Sequence, residues 1–138
     1  MVPVAPSMPS QNVSLEVTIT DTLGTAAPAV KNVSMLVAED RMGRIRSANA
    51  MSQGTHNVFM LNVDARPDIL ADGRILLDLT IEYVPDARAN PDEPSRAVNI
   101  NESLTMIVPD GNATLISRSA DPTTDRRVTV EVTATVVK

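Results

Sequence analysis

Apolar and polar residues alternate with a period of two along most of this 138-residue chain. Successive side chains of a β-strand point to opposite faces, so such a pattern places one edge of each segment in a core and the other in water. Val13, Leu15, Val17 and Ile19 alternate with Ser14, Glu16, Thr18 and Thr20. Helical spacing of apolar residues is nearly absent. A second strand spans residues 32–39, where Val33, Met35 and Val37 face one way and Leu36 and Ala38 the other; the connection at 21–29 carries Gly24 and Pro28. A short third strand at 43–48 follows a turn running from Asp40 to Gly43, and residues 49–57 form a polar loop.

Residues 58–65 and 74–84 are the clearest pair. Directly opposed residues of an antiparallel ladder share a face. The odd-numbered apolar set Phe59, Leu61, Val63 and Ala65 therefore meets Ile75, Leu77, Leu79, Ile81 and Tyr83. Loop length suggests Ala65 opposite Ile75, Leu61 opposite Leu79 and Phe59 opposite Ile81, with Gly73 of Asp72-Gly73 supplying a positive φ. Residues 85–95 hold three prolines and no large apolar side chain, which makes them a loop.

The alternation resumes at 96–108 with Val98, Ile100, Leu104 and Met106, interrupted by Glu102, which reads as a bulge or a crossing between sheets. Asp110-Gly111 then predicts a type I′ hairpin with Met106 opposite Leu115. After residues 119–125, a last strand carries Val128, Val130, Val132, Ala134 and Val136 on its core face. Eight strands and no helix predict an all-β fold, an antiparallel β-sandwich or partly open barrel. Residues 1–11 read as a Pro-rich N-terminal tether and 12–138 as a single β-sandwich domain.

Composition narrows the function. The chain has no cysteine and one histidine, so thiolate chemistry and multi-histidine metal clusters are excluded. Two aromatic residues, Phe59 and Tyr83, provide no stacking platform, and a net charge of −5 opposes binding to nucleic acid. No apolar run is long enough for a transmembrane helix. The first ten residues lack both the basic region and the apolar stretch of a secretory signal.

Each candidate for chemistry has a structural reading that outweighs it. His56 precedes a strand with no Ser or Asp partner implied by spacing. Asp64, Asp68 and Asp72 are spaced by four but do not fit a calcium-binding loop, and Asp121 and Asp125 bracket an ordinary turn. Asp64, Asp78 and Glu82 share a polar face that reads as solvated, with Asn62 opposite Asp78 and Val58 opposite Glu82. Asn12, Asn32, Asn101 and Asn112 begin glycosylation sequons of the kind that Ser/Thr-rich strands produce by chance. Arg126-Arg127 reads as a solubilising or edge-protecting pair. The expectation is no catalytic, cofactor-binding or metal-binding residue, and no enzyme.

The run from Leu61 to Glu82, LNVDARPDILADGRILLDLTIE, followed by VPDGNATLI from Val108 to Ile116, carries a family resemblance. Residues 56–137 resemble the C-terminal β-domain of the bacterial secretin family, and more closely small exported secretin-like proteins of uncharacterised function. A strand ending in Pro, an apolar residue and an Asp-Gly turn leads to a long alternating strand, and a later strand ends at a second Asp-Gly. Ser117-Arg118 stands where secretins usually have glycines. The resemblance implies a cell-envelope setting, periplasmic or extracellular, and transfers no catalytic residue. It implies a non-catalytic exported protein acting through protein–protein contacts. The alternative is a self-assembling structural subunit, a filament or ring, that adds its N-terminal segment or its last strand to a neighbour's sheet.

Overall fold

The alternating segments become eight strands in two antiparallel sheets. The computed structural model describes residues 11–25, 27–50, 58–84, 100–120 and 125–138. The strands are β1 (Asn12–Leu23), β2 (Ala29–Ala38), β3 (Gly43–Ala50), β4 (Val58–Ile69), β5 (Ile75–Val84), β6 (Ile100–Val108), β7 (Thr114–Ala120) and β8 (Arg126–Val137). One sheet has the order β2-β1-β8-β7 and the other β3-β4-β5-β6. The sheets face each other as a sandwich, not a closed barrel. His56, Asp121, the proposed tether except Gln11 and the Pro-rich stretch at 85–99 lie outside the described residues.

Over the described side chains, which do not include Phe59 and Val98, the core faces are those read from the alternation. Val13, Leu15, Val17 and Ile19 of β1 and Val128, Val130, Val132 and Ala134 of β8 are buried against Leu61, Val63, Ile75, Leu77, Leu79, Ile81 and Tyr83 of the second sheet. This core is almost wholly aliphatic, which suits strands because β-branched side chains pack well on a pleated surface. The first and last strands pair in the middle of one sheet, from Asn12 opposite Val137 to Leu23 opposite Arg126.

Three local expectations are corrected. The β4–β5 register differs by four residues: Leu61 lies opposite Tyr83, Val63 opposite Ile81 and Ala65 opposite Leu79. β4 runs on through Pro67 to Ile69, and the turn closes later, where Leu70 N donates to Arg74 O at 2.8 Å and Gly73 N to Leu70 O at 2.9 Å. Pro67 is tolerated because β3 pairs with β4 only as far as Ala65, so the missing N–H faces no ladder partner. Gly73 has the expected positive φ of 89°. In this register Arg66 lies opposite Asp78, and Asn62 opposite Glu82.

Asp110-Gly111 does not close a hairpin. Met106 lies opposite Leu77, and Leu115 opposite Glu131, so β6 and β7 belong to different sheets and residues 109–113 cross between them. Asp110 lacks the positive φ that a type I′ turn requires. The segment is fixed to β8 instead: Gly111 N donates to Ala134 O at 2.7 Å, and Asp110 Oδ1 accepts from Val136 N at 2.9 Å. Gly111 has φ 84° with open space where a Cβ would stand, so its constraint is purely one of backbone. Gly111→Val is expected to cost about 1–2 kcal/mol, read as a lower melting temperature, and an unchanged one would contradict this corner geometry.

Glu102 causes neither bulge nor crossing, since it sits in an unbroken ladder opposite Ile81. The bulge falls in β7, between Leu115 and Ser117. At the other crossing, Gly43 is required by close approach. A Cβ there would stand 2.5 Å from Val37 Cγ2.

Candidate functional site

The carboxylates singled out in the sequence do not converge. Asp64 lies on the outer face of β4 and pairs with Arg46 of β3, whose guanidinium holds the carboxyl below its usual range. Asp72 is in the β4–β5 turn, where hydrogen bonds from the backbone N–H and side chain of Arg74 lower it likewise. Asp68 is exposed on β4. Asp78 accepts a hydrogen bond from Thr105 Oγ1 at 2.6 Å, while the backbone carbonyl of Asp125 accepts one from Gly24 N at 3.1 Å. Among the described residues, no group of three or more His, Asp or Glu side chains could hold a metal ion.

A buried polar cluster ties the two sheets together instead. Asp21 continues the odd-numbered inner face of β1 and is 8% exposed. Its Oδ2 accepts from the Tyr83 hydroxyl of β5 at 3.1 Å, and its Oδ1 from Arg126 Nε of β8 at 2.9 Å; Arg126 also donates to Oδ2 through its terminal nitrogen. The Arg126–Asp21 pair is bidentate and largely shielded from water, with side chains 11% and 8% exposed. Arg126 is therefore neither solubilising nor edge-protecting, and β8 is no edge. Only Arg127 is exposed as expected. Sequence reasoning missed Asp21 because it placed residues 21–29 in a connection. The available signal was parity, since Asp21 follows Val13, Leu15, Val17 and Ile19 on the same face.

Burial pushes the Tyr83 phenol well above its ordinary value, and the neighbouring Asp21 carboxylate adds to the shift while Arg126 opposes it. A phenol whose pKa is raised on folding contributes stability that is intact below the unfolded value near 10 and lost as pH rises toward the folded one. Tyr83 is the only tyrosine and there is no tryptophan, so tyrosinate absorbance reports this site alone. That absorbance is expected to rise only as alkaline unfolding occurs. Ionisation near pH 10 with the circular dichroism still native would overturn the assignment.

Among the described residues, the outermost strands of the two sheets come side by side along two seams that flank the sandwich. At one they are β2 and β3; at the other, β7 and β6. The first seam holds a groove lined by Lys31, Val33, Ile45, Ser47 and Leu61. The second exposes part of Ile100, Met106 and Ile116 and contains Glu102, whose Oε1 accepts from Ser119 Oγ at 3.2 Å. Glu102 Oε2 and Ser117 Oγ are buried there without a hydrogen-bond partner. In a four-stranded antiparallel sheet the two outermost strands run in opposite directions, so β2 is antiparallel to β7, and β3 to β6.

No protein-family model matches the sequence, and no curated protein matches it. Solved structures do. The secretin InvG of the Salmonella SPI-1 type III secretion injectisome, in its open-gate state, superposes with a TM-score of 0.68 over 93% of this chain and 61% of its own, at 13% identity. A second structure of InvG gives 0.64 over 93% and 65%, at 14% identity. The T2SS secretin XcpQ of Pseudomonas aeruginosa gives 0.52 over 94% and 60%, at 14% identity. The fold is that of a secretin β-domain. The secretin-like similarity reaches beyond residues 56–137 and takes in the first three strands. This chain spans about three fifths of the length of those secretin chains. No helix among the described residues is long and apolar enough to cross a membrane.

Proposed function

We propose that this protein is a non-catalytic, exported β-sandwich module of the bacterial cell envelope, periplasmic or extracellular, that acts through protein–protein contacts. The observation that carries this reading is the match of nearly the whole sandwich to InvG. InvG has been solved together with the basal body proteins PrgH and PrgK, which fits a fold used for protein contact. The reading is also supported by the dispersal of Asp64 and Asp40 into separate surface pairs with Arg46 and Arg66, away from any common site. Fractionation of the producing cells, with cross-linking in the intact envelope, tests it. Recovery in envelope fractions with a cross-linked protein is expected, and a cytosolic protein with no partner would refute it.

A second reading, self-assembly, is favoured by the polarity of the sheet edges. Setting the β2/β3 seam of one copy against the β6/β7 seam of the next continues both sheets antiparallel at once, a head-to-tail arrangement that closes into a ring or extends as a filament. The last strand is not the route, because β8 is bonded to β1 on one side and β7 on the other. Light scattering across a concentration range, on the full chain and on a version lacking residues 1–11, separates the modes. Assembly that survives truncation supports the edges, assembly lost on truncation supports the N-terminal segment, and a concentration-independent monomer removes both.

A further inference from the structure

The fold separates the four asparagines that begin glycosylation sequons. Asn12 opens β1, which is bonded to β2 on one side and β8 on the other. Asn32 lies within β2 opposite Thr18, whose hydroxyl donates to its Oδ1 at 2.9 Å. Asn101 lies within β6 opposite Glu82. Each of these three belongs to a ladder, and the composition of strands accounts for the triplet. Asn112 does not. It stands exposed in the crossing at 109–113, outside every strand, and among the described residues its side-chain amide makes no hydrogen bond.

Transfer of a glycan to asparagine needs the amide presented on an exposed stretch of backbone that can bend into the transferase, a requirement that a loop meets and a strand held in its sheet does not. Residues 109–113 are all exposed, and Gly111, at a φ of 84°, turns the chain just before the acceptor. The bonds that fasten this crossing to β8, from Gly111 N to Ala134 O and from Val136 N to Asp110 Oδ1, both fall before Asn112 and leave it free to move. Thr114, which supplies the hydroxyl of the sequon, holds its Oγ1 3.5 Å from the Asn112 carbonyl, next to the residue it must serve.

A second observation singles out the same site. Asp110 stands two positions before Asn112, and an acidic side chain at that place is what a bacterial oligosaccharyltransferase reads, beyond the triplet itself, through a cationic group of its own. The corresponding positions before the other three asparagines hold Ser10, Val30 and Asn99. Of the four sequons, DGNAT alone carries an anion where a charge pair would anchor it.

We propose that Asn112 is the attachment site of an N-linked glycan in the folded protein. Its Nδ2 attacks the anomeric carbon of a polyprenyl-diphosphate-linked oligosaccharide held by a bacterial oligosaccharyltransferase. The Nδ2–C1 bond forms and the bond from C1 to the diphosphate oxygen breaks. The polyprenyl diphosphate leaves with the electron pair, the amide gives up one proton to the medium, and nothing is oxidised or reduced. The glycan stands on the corner that joins the two sheets, at the end of the sandwich where β1 begins and β8 finishes. The proposal rests on the exported reading above, because this transfer takes place on the outer side of the cytoplasmic membrane, and adds to it a specific modification.

The test is made outside the cell, so that its failure is distinct from a failure of export. The purified, folded full chain is incubated with a purified bacterial oligosaccharyltransferase, its divalent cation and a polyprenyl-diphosphate oligosaccharide, and proteolytic peptides are read by mass spectrometry. One glycan per chain is expected, on Asn112, and none in Asn112→Gln or Thr114→Val. Asp110→Asn keeps an acceptor for Val136 N and removes only the charge, and is expected to slow transfer roughly tenfold or more. Circular dichroism confirms that each variant is folded. A wild-type chain left unmodified, a glycan carried by Asn12, Asn32 or Asn101 instead, or an Asp110→Asn chain modified as fast as the wild type would overturn the proposal, while envelope fractionation would stand or fall on its own.

Discussion

Val132→Asp unfolds the domain. Val132 is fully buried on β8, between Val17 of β1 and Thr114 of β7, in the middle of the sheet. An aspartate there faces an aliphatic core with no cation to pair it and only the Thr114 hydroxyl on the adjacent strand, and a carboxylate in such a setting either stays ionised at great cost or is driven to protonate. The expected loss is more than about 4 kcal/mol, comparable with the whole stability of a domain of this size. Glu131→Gln is the control. Glu131 is exposed on the outer face, opposite Thr18 and Leu115, and its replacement should change stability by less than about 0.5 kcal/mol. Urea unfolding of the two variants checks this, and equal stability would mean that the faces of β8 are assigned the wrong way round.

Removal of the Asp21 carboxylate is expected to have the second-largest effect. Asp21→Ala removes the carboxylate that the shielded Arg126 guanidinium holds in a bidentate pair and that accepts from the Tyr83 hydroxyl. Breaking a buried pair in this way costs about 3–5 kcal/mol, much of it the penalty of leaving the buried guanidinium without that pairing. That cause can be separated from lost packing. In the double variant Asp21→Ala, Arg126→Met the buried charge is gone as well, so stability should return part of the way toward the wild type. A double variant less stable than Asp21→Ala alone would show that Arg126 stabilises by contacts other than this pair. Tyr83→Phe, which removes one hydrogen bond and keeps the ring, should cost only about 1 kcal/mol.

The cluster shows what a one-dimensional pattern conceals. A polar residue on a core face is legible from parity, and Asp21 stood on that face, but its partners lie on β5 and β8, with Arg126 105 residues away in sequence. No spacing rule joins residues that far apart. Glu102 was legible for the same reason and was misread in consequence, because a charge in an apolar row can mean a kink in the strand or a partner across the seam. Only the intact ladder opposite Ile81 distinguishes them.

The sequence by itself determined the fold class, the buried face of most strands and the glycines at which the chain bends. These follow from local physics: side chains alternate every residue along a strand, and Gly73 and Gly111 adopt backbone angles that other residues resist. It also determined register only to within an even number of residues. Pairing Ala65 with Leu79 instead of Ile75 leaves every side chain on the same face, so hydrophobicity is indifferent between the two, and the hydrogen bonds of the turn at Leu70 and Arg74 decide. Tertiary structure alone decided which strands are neighbours. The union of β1 with β8, the passage of residues 109–113 from one sheet to the other and the burial of Arg126 all depend on how two apolar faces close on each other. That closure is a property of the whole assembled surface, and no segment of the chain contains it.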